Sequence, residues 1–292
     1  MSNIAQEVES QPACWAEAVL RAPEALQDLP REEEVVAAVG CGTSLFVAQA
    51  YAGAREAAGL GTTDAFPASE FPFGRSYDRV LVLSRSGTTT EVVRLLDRLG
   101  RGAVTVAISA VPETPIATAA GSVVVLEFAD ERSVVQTRFA TSALALLRSH
   151  LGEDLTRVIA DGEGALGSEL PADPGAFDHF VFLGRGWTVG LANEAALKMR
   201  EAAGSWAESY PAMEYRHGPI SVAGTHSLVW GLGEVEDDVL RDVERTGATV
   251  VRGDLDPMAE LVKVQRMAVA LAEMKGLDPD HPRHLTRSVV LS

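Results

Sequence analysis

Residues 79–100 read RVLVLSRSGTTTEVVRLLDRLG, in which an apolar β-branched run leads through a cluster of hydroxyl residues into helical spacing of apolar residues. The run 79–84 is typical of a strand buried on both faces, and 88–99 is typical of a helix. Where a strand passes directly into a helix, the free N–H groups and the dipole of the helix N-terminus favour an anion. One helix cap needs one hydroxyl, whereas this corner carries five, so it predicts a phosphate-binding loop.

Short apolar runs alternate with helical patterns through the first half of the chain. The other candidate strands are 34–40, 103–109 and 122–128, and the other candidate helices are 44–58 and 137–151. This alternation predicts a parallel sheet covered by helices, with right-handed crossovers between the strands.

The same pattern restarts in the second half. Its candidate strands are 179–186, 226–233 and 248–254, and its candidate helices are 188–204, 236–246 and 258–275. GCGTS at 40–44 and GRGWT at 184–188 each follow an apolar strand, and they lie 144 residues apart, close to half the chain. The sequence therefore predicts two α/β halves of similar topology.

These patterns divide the chain into an N-terminal helical segment (1–30), a phosphate-binding half (31–151), a connecting segment (152–177) and a second half with a C-terminal tail (178–292). The periodic apolar residues Trp15, Val19 and Leu26 predict that the N-terminal segment packs on the first half. Ligands of open parallel sheets bind beyond the carboxyl ends of the strands, where GCGTS, GRGWT and the hydroxyl corner all lie.

Composition and charge limit which partners, location and cofactors are expected for this protein. The net charge of −16 argues against nucleic acid or an anionic membrane as a partner, and it requires a phosphate site to rely on local backbone donors. The sequence lacks a long apolar run and a basic leader, so we expect a cytoplasmic protein. Two cysteines and six scattered histidines predict neither a disulfide framework nor a metal site.

Both glycine and hydroxyl motifs have structural alternatives. GCGTS is an incomplete dinucleotide fingerprint, because Leu45, followed by Phe46 and Val47, stands where the third glycine is needed. Thr43 and Ser44 are also compatible with ordinary helix caps. In the hydroxyl corner, Ser84 or Ser86 would be the cap, with Glu91 as its capping-box partner.

The stretch 193–221 carries the candidate acid–base groups. Glu194, Lys198 and Glu201 recur at i, i+4 and i+7, so they share one helix face. The alternative is a solvated face with i,i+4 ion pairs, but the rest of this helix is largely Ala, Leu and Met. His217 follows on a turn with Gly218 and Pro219, where an imidazole can serve as an acid–base group.

These residues suffice for aldose–ketose isomerisation without a metal or redox cofactor. A phosphate anchored at 84–89 would hold a small metabolite, Glu201 would move a proton between adjacent carbons, and His217 would act on a ring or carbonyl oxygen. General acid–base groups of this kind accelerate proton transfer by roughly 10²–10⁴-fold each.

From about residue 35 to its end, the chain resembles the sugar isomerase (SIS) domain family, and within it the isomerase half of glucosamine-6-phosphate synthase. Four ordered motifs carry the resemblance: GCGTS, SRSGTTTE, the stretch from Glu194 through HGP, and the tail KGLDPDHPRHLTRSVVLS. It implies two flavodoxin-like subdomains, each a three-layer αβα arrangement, around a sugar-phosphate site.

The resemblance also implies roles for residues. The phosphate-binding hydroxyls match Ser44, Ser84, Ser86 and Thr89, with Thr43 in the same turn as Ser44. Arg85 replaces a frequent glutamine and would add charge near the phosphate. Val134 and Gln136 lie in the loop that borders the sugar, and Lys198 and Glu194 accompany the isomerising base Glu201. The ring-opening histidine matches His217, which in the family comes from a neighbouring subunit and so implies at least a dimer.

The sequence differs from the synthase in two places, and each difference leads to an expectation about its chemistry. Only about 35 residues precede the first SIS strand and Ser2 follows Met1, so glutamine-dependent amination is not expected. The Schiff-base lysine is replaced by Arg287, which stays protonated and cannot form an imine, so we expect Arg287 to hold substrate oxygens.

The expected function is a sugar-phosphate isomerase, an aminosugar-phosphate deaminase/isomerase or a fructosamine-phosphate deglycase. The alternative is a non-catalytic sugar-phosphate sensor, which would need the hydroxyls but neither Glu201 nor His217. A sensor acting on DNA would also carry a basic DNA-binding domain, and the sequence shows none.

Overall fold

The computed structural model describes residues 2–291, which form two parallel sheets. The first contains β1 (Val36–Gly40), β2 (Thr63–Pro67), β3 (Arg79–Leu83), β4 (Thr105–Ser109) and β5 (Ser122–Val125) in the order β2-β1-β3-β4-β5. The second contains β6 (His179–Gly184), β7 (Trp206–Pro211), β8 (Ser227–Gly231) and β9 (Thr249–Arg252) in the order β7-β6-β8-β9. In both, the first strand pairs with the next two, as Val36 does with Thr63 and Arg79.

Helices cover both faces of each sheet. They are α1 (Asn3–Glu9), α2 (Gln11–Ala25), α3 (Thr43–Ala57), α4 (Thr90–Leu99), α5 (Pro115–Ala119), α6 (Arg138–His150), α7 (Thr156–Gly167), α8 (Thr188–Ala203), α9 (Asp237–Glu244) and α10 (Pro257–Met274). One large apolar cluster joins the inner faces of the two sheets, and smaller clusters fill the outer faces. The predicted α/β class, with two halves of flavodoxin-like strand order, is confirmed.

Two strands are absent from the sequence prediction. Both β2 and β7 lie at sheet edges, where one side of the strand faces solvent and polar residues are tolerated. Their sequences, TDAFP and WAESYP, accordingly include acidic residues and end in proline, which obscures the apolar signal of a buried strand.

The N-terminal and connecting segments are more integrated than expected. Helix α2 packs on α6 of the first half and buries Trp15 completely, as the sequence predicts, although Leu26 is 51% exposed. Helix α1 packs in addition on α10 in the second half. The connecting segment includes α7, which packs on α10 and α2, and Gly162 leaves room there for the Trp15 ring. The division at residues 31, 152 and 178 stays a prediction.

Glycines create the two matching strand-to-helix corners. A Cβ atom on Gly40 would lie 2.4 Å from the carbonyl carbon of Ser44, and one on Gly184 would lie 2.4 Å from the Thr188 carbonyl oxygen. A third glycine, Gly190, lets α8 approach α3 so closely that an added Cβ would lie 2.5 Å from the Phe46 carbonyl oxygen. This approach brings the two halves of the site together.

Two features of residues 2–291 bear on function: helices that could span a membrane, and side-chain groups that could hold a metal ion. Within that range, no helix combines the length and the apolarity needed to cross a membrane. No group of three His, Cys, Asp or Glu side chains in the same range is arranged to hold a metal ion.

Candidate active site

The hydroxyl corner lies between the end of β3 and the start of α4. Thr89 is the N-cap of α4, and its side chain makes no capping bond, so the expectation that Ser84 or Ser86 is an ordinary cap is wrong. The Ser84 hydroxyl is buried without a hydrogen-bond partner among residues 2–291. Ser86 Oγ accepts hydrogen bonds from the Thr88 amide at 3.3 Å and the Thr88 hydroxyl at 3.1 Å. The hydroxyls therefore remain grouped at the helix N-terminus.

Backbone conformation shapes the same corner. Gly87 has a φ of +64°, and a Cβ there would lie 2.3 Å from the Thr114 hydroxyl oxygen. Glycine is therefore needed both for the left-handed conformation and for the close approach.

The C-terminal tail runs across this corner. The Thr90 amide donates to the Val289 carbonyl at 3.1 Å, and the Leu291 amide donates to the Thr90 hydroxyl at 2.8 Å. Thr88 Oγ1 also lies 2.9 Å from Ser288 Oγ, within hydrogen-bond distance. Ser288 thus joins the hydroxyls of the corner, although the sequence analysis assigned no role to it.

The Arg85 side chain is held by groups of neighbouring loops. Its buried guanidinium lies 3.2 Å from Glu131 Oε2 and donates to the carbonyls of Ser133, Val134 and Arg287. Its charge is therefore compensated by Glu131, and its donors hold neighbouring loops together.

The loop 131–136 carries the predicted sugar contacts Val134 and Gln136. Gln136 Oε1 is buried without a partner in the described part of the chain, so an acceptor there is free for a ligand. Val134 uses its backbone instead, donating to the Asp280 carbonyl at 3.0 Å. The Arg287 side chain donates to the Asp130 carboxylate and the Glu131 carbonyl, so the structure places it on this loop.

The corner at GCGTS leads into α3 without side-chain capping. Its N-cap is Gly42, so the alternative that Thr43 and Ser44 are caps is wrong. Both are buried in the first helical turn. The Thr43 hydroxyl accepts a hydrogen bond from Lys198 Nζ at 3.0 Å, across the boundary between the two halves.

Lys198 is the centre of a buried charged cluster. Its Nζ donates to Glu201 Oε2 at 2.6 Å and lies 3.2 Å from Glu194 Oε1, and its side chain is 1% exposed. Burial alone would lower the pKa of Lys198, but the carboxylates Glu194 and Glu201 raise it above its usual range. The predicted alternative of a solvated helix face is therefore wrong.

Glu194 and Glu201 differ in their surroundings. Glu194 is fully buried, and burial raises its pKa to about 7 despite the opposing effect of Lys198. Glu201 is 21% exposed and lines a cleft of about 420 Å³ together with Gly204 and the tail residues Asp278 and His281. Glu201 is therefore the carboxylate of the cluster that a ligand can reach.

His217 lies apart from this cluster. It ends a 3₁₀ turn (Ala212–His217) and is exposed next to Gly218, whose φ is +135°. Met213 and Val222 nearby are also exposed, at 46% and 55%. Within the described chain, no hydrogen bond or ion pair connects His217 with Glu201.

The sequence predicts no role for several buried polar residues around the candidate site. Glu131 accepts hydrogen bonds from the amides of Thr137 and Arg138 at the start of α6, a local signal resembling a helix cap. Glu7 and Asp280 bind residues more than 120 positions away, and no local pattern reveals them.

Solved structures with the same fold include proteins named for sugar phosphates. No family model matches the chain. A solved structure, glucosamine-6-phosphate deaminase from Thermotoga maritima, is 26% identical and aligns with a TM-score of 0.84 over 99% of this chain and 100% of that one. The C-terminal domain of glucosamine-fructose-6-phosphate aminotransferase from Francisella tularensis is 20% identical and has the same fold. It aligns with a TM-score of 0.82 over 97% of this chain and 98% of that one.

Among curated proteins, the chain is similar to the isomerase half of glutamine–fructose-6-phosphate aminotransferase. It is 28% identical to the protein from Sulfurisphaera tokodaii over 91% of this chain and 51% of that protein. The chain therefore spans about half the length of the curated relatives it matches. The predicted resemblance to the SIS family and to this half of the synthase is confirmed.

Proposed function

We propose that the chain is an enzyme that converts phosphorylated sugars, as an aldose–ketose isomerase or an aminosugar-phosphate deaminase/isomerase. The observation that carries the proposal is the contact from Thr43 through Lys198 to Glu201. It joins the phosphate-binding half to the candidate base of the second half. The names of the relatives, an isomerizing aminotransferase and a deaminase, support the same class of substrate.

In the proposed mechanism, Ser44, Ser84, Ser86 and Thr89 hold the phosphate. Glu201 then takes a proton from one carbon of the open-chain sugar and returns it to the neighbouring carbon. Lys198 holds one oxygen of Glu201 at 2.6 Å, and Glu201 lines the cleft. Precise orientation of this kind is what makes a fixed carboxylate an effective base.

Arg287 supports a route without a covalent imine. A permanently charged guanidinium cannot form a Schiff base, and here it binds the loop 131–136 and Asp130. We therefore propose proton transfer through an enediol, with Arg287 holding that loop or the substrate oxygens.

His217 is proposed to open the sugar ring in the site of a second copy of the chain. It is exposed on a turn with exposed Met213 and Val222, as a residue at a homodimer interface would be in an isolated chain. Mixing Glu201→Gln with His217→Asn tests this arrangement, because a mixed dimer then carries one intact site. Random pairing is expected to restore about one quarter of wild-type activity. No recovery from two inactive variants would place His217 in its own subunit's site, and full activity of His217→Asn alone would place it outside the site.

A turnover screen tests the function itself. Glucosamine 6-phosphate, galactosamine 6-phosphate, fructose 6-phosphate and a fructosamine 6-phosphate are incubated with the protein, and released amine and new ketose or aldose are followed together. Amine release indicates a deaminase or deglycase, and isomerisation alone indicates a plain isomerase. Glu201→Gln should bind the same sugar but turn it over at least about 10²-fold more slowly. The exposed variant Glu169→Gln is the matched control.

The non-catalytic sensor remains the alternative outcome. Thermal stabilisation by a sugar phosphate without turnover of any sugar would favour it. In either case we propose a cytoplasmic protein whose partner is a small sugar phosphate rather than nucleic acid or membrane.

A further inference from the structure

Glu7 is a buried carboxylate that the proposed mechanism does not use. It lies in α1, is 3% exposed, and forms no ion pair with any described residue. Oε1 accepts from the amides of Arg132 at 2.6 Å and Ser133 at 3.2 Å, and Oε2 accepts from the Ser133 hydroxyl. A buried charge without a cation depends on such donors, so the position of Glu7 and that of the loop are coupled.

The same loop is held from two other directions. Arg85, next to the phosphate corner, donates to the Ser133 and Val134 carbonyls. The tail residue Asp280 accepts from the Val134 amide through its carbonyl, and its carboxylate accepts from the Asn3 and Ile4 amides, which caps α1. The first helix, the loop and the tail therefore meet in one hydrogen-bonded junction.

We propose that α1 is a working part of the site and that Glu7 is the positioning residue for the sugar-bordering loop 131–136. This inference rests on the proposed function, since it requires Val134 and Gln136 to face the sugar. The phosphate-binding hydroxyls lie on a different loop, and none of them forms a hydrogen bond with Glu7 in the described structure. Loss of Glu7 should therefore weaken recognition of the sugar while leaving recognition of its phosphate intact.

Glu7→Gln is the direct test, because it keeps the size of the side chain, removes one of its two acceptor oxygens and removes the charge that strengthens its bonds to the loop. The exposed Glu9→Gln, on the same helix, is the matched control. We expect KM for the sugar phosphate that wild type converts to rise about tenfold, the equivalent of one charge-assisted hydrogen bond, with a smaller change in kcat. Inorganic phosphate should bind with unchanged affinity, measured by calorimetry.

A merely structural role would reduce the active fraction, and hence kcat, without changing KM. An unchanged KM in folded Glu7→Gln, or an equal weakening of inorganic phosphate, would overturn the proposal. If wild type converts no sugar, the dissociation constant of fructose 6-phosphate replaces KM, so failure of the catalytic proposal is distinguishable from failure of this one. If Glu7→Gln does not fold, Ser133→Ala removes one of the donors and is expected to weaken sugar binding about threefold. Unchanged sugar binding by Ser133→Ala would then overturn it.

Discussion

Replacing Glu194 with glutamine should change how the stability of the protein depends on pH. Burial raises the pKa of this carboxyl from an ordinary 4.5 to about 7 in the folded state. At 1.36 kcal/mol for each pH unit, this difference of about 2.5 corresponds to about 3 kcal/mol.

The sign of the effect of pH on stability follows from how tightly the folded and unfolded states bind this proton. Because the folded-state pKa lies above the unfolded-state value, the folded protein binds this proton more tightly than the unfolded chain. The resulting stability is fully present below pH 4.5 and is lost as the pH rises through 7. Between pH 5 and pH 8, Glu194 should lower the free energy of unfolding by about 2 to 3 kcal/mol, and glutamine cannot contribute this loss.

Urea unfolding at pH 5 and pH 8, followed by tryptophan fluorescence, measures the difference. Glu194→Gln is expected to lose about 2 to 3 kcal/mol less than wild type between the two pH values, since other titrating groups are shared. Glu169→Gln, at an exposed position, should behave as wild type. Equal pH dependence of wild type and Glu194→Gln would refute a raised pKa for this buried group.

Two predictions concern the phosphate corner. Ser86→Ala should weaken sugar-phosphate binding about tenfold in calorimetry through loss of one hydrogen bond, whereas Ser76→Ala, at an exposed position, should not; unchanged affinity would move the phosphate site elsewhere. Gly87→Ala and Gly59→Ala both place alanine at a positive φ, which costs about 1 kcal/mol in thermal unfolding, and Gly87→Ala should cost more because its Cβ also meets Thr114. Only Gly87→Ala should weaken inorganic phosphate binding, because Gly59 faces open space; equal phosphate affinity of the two variants would contradict this.

Most of the fold is predictable from the sequence because the patterns that indicate its strands and corners are local. Each buried central strand is a continuous apolar run, and each corner carries its glycine and hydroxyl residues next to that run. The edge strands β2 and β7 were missed because half-exposed strands do not need an unbroken apolar run. Helix α7 was read as a connection because its three glycines resemble a loop, although Gly162 is there to admit Trp15.

The sequence predicts the candidate site only where residues close together in the sequence are also close together in the structure. The spacing of Glu194, Lys198 and Glu201 predicted a shared helix face, and the structure joins their side chains there. The orientation of Arg85 was not predictable, since its partner Glu131 lies 46 positions away and both are buried. Glu7 and Asp280 act through long-range backbone contacts, which leave no periodic or compositional trace.

The apolar cluster shared by the two sheets has a consequence for motion. Domains that close on a ligand by hinge bending usually meet across a small, polar interface that can open without exposing a core. Here α3 and α8 meet through Gly190 in the largest buried cluster of the molecule, so opening the halves would expose apolar interior to water. We therefore expect the two halves to unfold as one cooperative unit, and any access movement of the site to be confined to the tail and the loop 131–136.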